Sequence, residues 1–509
     1  MLIYNKKSNI LFCQILNNQY LYGVKQKHHN MLPSKDTTIL SEINNFFTSS
    51  EKAIETVFST LRSLKLSESQ FFIKEKPNNT YKNTDKLLLL LLFPLFKIKS
   101  GYDYQTSAIY SVVSCGKDVF YRLLNNTNIN WRKLHYVISK KLIKQVATKT
   151  ESADTPSCLI IDDTDLPKTG RFIELIGKIY THVSHRSILA FKGLFMAYHD
   201  GKSLFALDFS LHGEQGKNKK RPYGISPSQS KKRYSKKREK DSHGSQRTQE
   251  YTVSKIKQMI VMIRTAITQG IRFDYLLVDS WFTCYELVEF ITTRRINCHL
   301  LGMIKMGNTK YVYQGKTLSA KQLVDVLRRT KKIKRSKTTG FYYCEAIVFI
   351  QNIEVKIFFS KTSKRAKWHG LLTTDVALNF DKAYKIYATR WTIEVFFKES
   401  KQFLGLGKCE SQDFDAQIAH TTLCMLQYNI LATVKRFDKY ETFGELFRQV
   451  QKESLEKTIN EQIWLIIIEI VEELAIIFEA DTDLIMEKLI ADNQTIKKYL
   501  NLQPYINAA

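Results

Sequence analysis

Three segments place ionisable side chains where they could do chemistry. Two share one form, three apolar residues followed by an aspartate: Leu159-Ile160-Ile161-Asp162 and Leu276-Leu277-Val278-Asp279. A short apolar run of this kind reads as a buried strand, and ligands of an α/β sheet gather beyond the carboxyl ends of its strands. Two acids placed there could converge on a metal. Taken singly, each segment fits a strand whose Asp caps the next turn equally well. The third segment is Tyr387-x2-Arg390-x3-Glu394-x6-Lys401, inside KAYKIYATRWTIEVFFKESKQFLGLG. At about 100° per residue, these spacings bring Arg390, Glu394 and Lys401 to within about 60° of Tyr387 on one helical face. Lys398 falls on the same stripe and Trp391 near it. An Arg390 to Glu394 salt bridge at i,i+4 is the plain alternative. One carboxylate among three cations and a phenol suits a site that holds a metal and a phosphate together.

The flanking sequence supplies elements to position these groups. SCLIID (157–162) reads as a strand, and residues 188–212 as a hairpin turning at His199-Asp200-Gly201. Residues 248–270 read as one amphipathic helix closed by Gly270. FDYLLVDS (273–280), CYELVEFITTRR and CHLLGMIK follow as strand, helix and strand, which implies a mixed α/β sheet. Residues 306–370 break that alternation with β-rich material around one short helix, the mark of an insertion. From 379 onward the pattern is helical. Residues 31–150 are also mainly helical and carry cations at Arg122, Arg132, Lys133, Lys140, Lys141 and Lys144. They read as a helical DNA-binding domain, though a solvated helix face fits nearly as well. MLPSKDTT at Met31 looks like a domain start, so residues 1–30 read as an extension.

Charge points to the partner. The 77 Lys+Arg against 49 Asp+Glu leave a net +28, and a polyanion is the expected partner of such a chain, because Lys and Arg release counterions condensed on phosphates. Eleven Lys/Arg lie between Lys217 and Lys240, interleaved with Tyr223 and Tyr234 and broken by Pro222, Gly224 and Pro227. This stretch reads as a mobile loop suited to phosphate contacts through Lys231, Lys232, Arg233, Lys236, Lys237 and Arg238. The longest apolar run, Leu87 to Phe93 and on to Phe96, is far short of the roughly 18–20 residues that span a membrane. A cytoplasmic, nucleoid-associated protein is expected. The eight cysteines are scattered with no C-x-x-C, which argues against structural zinc and a disulfide framework. The stretch 461–487 has eight acids and no base. It could dimerise, or fold back on the basic N-terminal region, which charge slightly favours.

D-D-T-D-L-P after a strand, L-L-V-D-S-W-F, and Y-x2-R-x3-E-x6-K followed by FLGLGKCESQDFDAQIAH resemble the bacterial insertion-sequence DDE transposases of the YREK class, over roughly residues 157–430. The resemblance implies an α/β ribonuclease-H-like catalytic core with a mixed sheet and a β-rich insertion, flanked by helical N-terminal and C-terminal domains. The corresponding limits are 31–150 for the helical DNA-binding domain, 151–305 with 371–408 for the core, 306–370 for the insertion and 409–509 for the helical C-terminal region. The implied catalytic and metal-holding acids are Asp162 on the first strand, Asp279 on the fourth and Glu394 on a late helix. Asp163 is the second choice for the first acid, since neighbouring strand residues face opposite ways. Hard carboxylate oxygens suit Mg²⁺ or Mn²⁺, and two ions are expected. By the same resemblance Tyr387, Arg390 and Lys401 would contact phosphates, with Lys398 beside them. Trp368 would either stack on a flipped base or, at better odds, pack under the insertion. The implied activity is cut-and-paste transposition: cleavage at transposon inverted repeats, hairpin formation, and joining of a 3′-hydroxyl to target DNA, by a homodimer on DNA. The alternatives are a catalytically inactive, domesticated DNA-binding regulator, or a nuclease of the same fold that cuts without joining.

Overall fold

The two Asp-ending runs become neighbouring strands of one sheet. The structure is a computed structural model that describes residues 52–71, 81–110, 113–149, 155–293, 296–437 and 440–477. The 1–30 extension and the part of the acidic stretch beyond 477 lie outside the described residues. Strands β1 (Cys158–Pro167), β2 (Gly177–Thr181), β3 (Arg186–His199) and β4 (Leu204–His212) make an antiparallel group, in which β3 pairs with each of the other three. β5 (Tyr275–Val278) and β6 (His299–Ile304) continue the sheet parallel to β1. β7 (Lys310–Tyr313), β8 (Lys316–Ser319), β9 (Lys334–Arg335), β10 (Tyr342–Ile350), β11 (Ile353–Lys361) and β12 (His369–Thr373) complete it. The path is β2-β3-β1-β5-β6-β12-β11-β10-β7-β8, with β4 on β3 and β9 on β10.

The β3–β4 turn is made by local chemistry. Asp200 Oδ1 accepts from Lys202 N at 2.9 Å and Ser203 N at 2.7 Å, and Gly201 takes a φ of +95° that a side chain would resist.

The described helices of eight residues or more are α1 (Lys52–Ser63), α2 (Asn83–Leu92), α3 (Lys117–Leu124), α4 (Trp131–Lys149), α5 (His243–Glu250), α6 (Lys255–Thr268), α7 (Tyr285–Thr293), α8 (Ala320–Arg329), α9 (Phe380–Ala388), α10 (Trp391–Phe403), α11 (Phe414–Phe437) and α12 (Phe443–Ile477). They cover both faces of the sheet. On one face Leu159, Ile161, Leu276, Val278 and Leu300 pack with Met259 and Ile263 of α6, Leu287 and Val288 of α7 and Leu323 of α8. On the other, Ile160, Leu277 and Leu301 pack with Ile393 and Phe396 of α10 and with residues of α1, α2, α4, α11 and α12. The alternation of side chains along β1 and β5 assigns each residue to its face.

Helix α11 is buried on nearly every side, as a helix through the middle of a large core must be. Its polar groups are satisfied by neighbours. Asn429 donates to Ser139 Oγ at 2.9 Å and Ala206 O at 2.8 Å, and its Oδ1 accepts from Ala206 N. Gln427 donates to Leu90 O at 3.0 Å.

Several expectations change here. The described helices between 52 and 149 pack into the same hydrophobic core as the sheet. Two of the cations expected to serve DNA are engaged inside the protein: Arg132 bridges Asp208 and Glu250, and Lys141 donates to Leu64 O. The helix expected at 248–270 is split, because Ser254 takes an extended backbone and accepts from Lys257 N to cap α6. The segment 306–370 is β-rich around one helix, α8, and its strands join the central sheet. β12 pairs antiparallel with β6, and β11 with β12. Asp279 follows the fifth strand in chain order, since β2 precedes the hairpin.

Candidate active site

The parallel ladder between β1 and β5 ends at the pair Ile161↔Val278. Asp162 and Asp279 are therefore the next residues along each strand, side by side where the two chains part. Alternation puts Asp162 on the face of Ile160, where α10 packs, and extends to Asp279 the face of Leu277. Asp279 is held by the turn that follows it. Its Oδ1 accepts from Trp281 N at 2.8 Å and Phe282 N at 3.1 Å, and its carbonyl accepts from Thr283 Oγ1 at 2.9 Å. The capping role and the site position thus belong to the same side chain.

Alternation also separates the two adjacent acids of β1. Asp163 lies on the opposite face, where Lys255 of α6 donates to its Oδ2. Asp165 likewise pairs with Lys192. Asp162 is the acid that faces Glu394.

Glu394 reaches the site on α10, but not along one continuous helix from Tyr387. The chain turns at Thr389–Arg390, where Thr389 N donates to Ile386 O at 3.1 Å and Arg390 N to Tyr387 O at 3.0 Å, a tight i→i−3 pattern. The side chains of the motif still meet. Arg390 Nη1 lies 2.8 Å from Asp162 Oδ2, and its Nη2 pairs with Glu394 Oε1. Tyr387 donates to Val278 O at 3.2 Å, and Lys401 to Thr164 Oγ1 at 2.6 Å. Tyr387, Arg390 and Lys401 are therefore engaged within the protein here, while Lys398 is exposed. Both the plain reading of Arg390–Glu394 as a salt bridge and the convergence of the motif on Asp162 hold at once.

Burial raises the Asp162 carboxyl to about 7. The Arg390 charge and the Asp163 N–H bond pull it down, and the charges of Asp279 and Asp163 push it further up. Burial likewise pushes the Tyr387 phenol up to about 12 and lowers the Lys401 ammonium. Among the described residues no three His, Cys, Asp or Glu side chains stand together as a ready metal cage. What converges is a set of carboxylates with a guanidinium between two of them. The donors are carboxylate oxygens, the ligand type that a hard divalent cation takes, and Arg390 engages two of them.

One contact beside Asp279 escaped sequence reasoning: Lys255 lies with its ammonium 4.0 Å from the centroid of the exposed Trp281 ring. The L-L-V-D-S-W-F segment contained Trp281, but nothing local tied a lysine from α6 to it.

The basic stretch 217–240 divides in two. Lys236 Nζ lies 2.9 Å from Asp413 Oδ2 and 3.0 Å from Asp415 Oδ2. Arg238 pairs with Glu174 at 2.6 Å and Asp415 at 3.1 Å, and Arg233 donates to Ile176 O and Ser230 Oγ. These three side chains clamp the segment to the core and are engaged within the protein, where the sequence alone suggests a mobile loop. Lys231, Lys232 and Lys237 remain exposed. Reversing those three to Glu should weaken DNA binding and reduce the magnitude of its salt slope by up to about three. An unchanged slope in a salt titration of duplex binding would remove this surface from the DNA interface. Trp368 is half-buried against the core with Lys361 at 4.8 Å from its ring, the packing alternative of the two expected for it.

Residues 108–311 match a family model described as DDE superfamily endonuclease. A comparison with curated proteins finds no match. Among solved structures, the cryo-EM structure of a piggyBac transposase synaptic complex with hairpin DNA aligns over 84% of this chain and 82% of that one, at 14% identity and a TM-score of 0.39. The segment that carries Asp162 and Asp279 is thus similar in sequence to the DDE superfamily endonucleases, while Glu394 lies beyond the matched residues.

Proposed function

We propose that this protein is a divalent-metal-dependent DDE transposase of the YREK class, which cleaves DNA at transposon ends and joins them to target DNA. The observation that carries the reading is that Asp162 and Asp279 stand side by side at the open end of the β1–β5 ladder, with Arg390 linking Asp162 to Glu394. The strand arrangement around β1 supports a ribonuclease-H-like core: β4, β3 and β1 antiparallel, then β5 and β6 parallel to β1. The exposed cations and the net charge of +28 support DNA as the partner.

In this reading Asp162, Asp279 and Glu394 hold the metal. When bound, Mg²⁺ or Mn²⁺ would acidify the attacking hydroxyl and offset charge at the reacting phosphate. The chain's own residues do the rest. The backbone N–H groups of Trp281 and Phe282 hold the Asp279 carboxylate in place. Arg390 and Lys398 present charge to the backbone phosphates, and the helix face brings Glu394 to the other two acids. Joining conserves phosphodiester bonds. The 3′-hydroxyl oxygen bonds to phosphorus as the P–O3′ bond of the target strand breaks, and the proton leaves with the displaced hydroxyl, so no external energy source is required.

The test is direct. Purified protein incubated with DNA carrying the element's ends should nick and then join strands with Mg²⁺, and chelation with EDTA should stop both. Cleavage with no joined product would identify a nuclease. Binding with no cleavage under any divalent metal would identify a DNA-binding regulator.

A further inference from the structure

Arg390 does more in this arrangement than wait for a phosphate. Its fork takes one oxygen each from Asp162 and Glu394, oxygens that a metal would need. The side chain is only 14% exposed, and it sits at the turn between α9 and α10, where the backbone bonds are of the tight i→i−3 kind. No ready metal cage exists among the described residues.

We infer that the Arg390 guanidinium competes with a divalent ion for Asp162 and Glu394, and is released from them when a DNA phosphate offers a substitute partner. The inference rests on the reading that Asp162, Asp279 and Glu394 hold the metal. Its chemistry is that of an exchange of partners. A guanidinium pairs as well with phosphate as with carboxylate through the same two-pronged geometry. A phosphate that draws Arg390 away leaves Asp162 and Glu394 without the cation that links them. A divalent ion then supplies the positive charge that the carboxylates have lost. Metal and DNA binding become coupled, and by linkage each raises the affinity of the other by the same factor. The device keeps the acids neutralised while the protein is off DNA.

The experiment measures Mn²⁺ affinity of the full chain by electron paramagnetic resonance, in wild type, Arg390→Gln and Arg390→Lys, with and without a short duplex. Without DNA, Arg390→Gln is expected to bind Mn²⁺ about tenfold tighter than wild type. Arg390→Lys, which keeps the charge but cannot bridge two carboxylates, should fall between. The duplex should raise wild-type Mn²⁺ affinity by a larger factor than it raises that of Arg390→Gln, the duplex's own Mn²⁺ binding being common to both. Equal or weaker binding by Arg390→Gln, with Arg390→Lys no tighter than wild type, overturns the inference. Asp162→Asn and Asp279→Asn give the separate control. If Mn²⁺ binding survives both unchanged, the metal lies elsewhere, and the reading of the three acids fails instead.

Discussion

Glu394→Gln is expected to reduce Mg²⁺-dependent strand cleavage by about a thousandfold or more, equivalent to about 4 kcal/mol of transition-state stabilisation, while duplex affinity stays within about twofold. The substitution keeps the size and shape of the side chain on α10 and removes only its charge. The Arg390 to Asp162 contact on the far side of the guanidinium can persist. Glu394 is the more exposed of the two acids that Arg390 pairs, at 34% against 15% for Asp162, so removing its charge should disturb the fold little. A matched pair on β1 sharpens the result. Asp162→Asn should match Glu394→Gln, whereas Asp163→Asn should retain most cleavage, because Asp163 faces Lys255 on the other side of the sheet. A gel assay of nicked product reads all three. Full loss in Asp163→Asn with activity kept in Asp162→Asn would mean that the adjacent acid had been chosen wrongly.

Arg238→Ala is expected to cost about 3–5 kcal/mol of folding stability. The guanidinium is 6% exposed and faces Glu174, Asp413 and Asp415, which are 8%, 5% and 4% exposed. Removing it takes the guanidinium from three buried carboxylates, of which Lys236 still pairs with Asp413 and Asp415. Burial opposes the ionisation of Glu174, but the Arg238 hydrogen bonds and charge hold its carboxyl below the usual range, so this partner gains from being ionised in the fold. Urea unfolding followed by circular dichroism measures the loss. A change under about 1 kcal/mol would show the network to be dispensable. The exposed Lys231, Lys232 and Lys237 provide the contrast, since surface charges contribute little to stability. Variants there should alter DNA binding and leave the unfolding midpoint nearly unmoved.

Much of the scaffold was legible in the residues themselves. The aliphatic runs before Asp162 and Asp279, the hairpin with its Asp-Gly turn and the helical tail through Phe437 are all patterns whose period is local. The Ser254 cap was missed because a serine inside an amphipathic stretch does not announce an extended backbone. The ion pairs inside the basic stretch are hidden from the sequence for a related reason. Eleven cations in sequence look solvated until their partners are known, and Glu174, Asp413 and Asp415 are remote in the chain. Strand content at 306–370 was plain, but which strand β12 would join was not, because pairing is chosen between segments far apart.

The sequence by itself determined the kinds of groups at the site: carboxylates after two strands, and a helix segment bearing Tyr387, Arg390, Glu394 and Lys401. Residue type and spacing carry that information. Only the tertiary structure decided which of Asp162 and Asp163 meets Glu394, since a strand residue's face acquires meaning only when α10 covers one side and α6 the other. The tertiary structure also placed Arg390 between two of the acids, because a guanidinium in a partly desolvated cleft finds the nearest carboxylates.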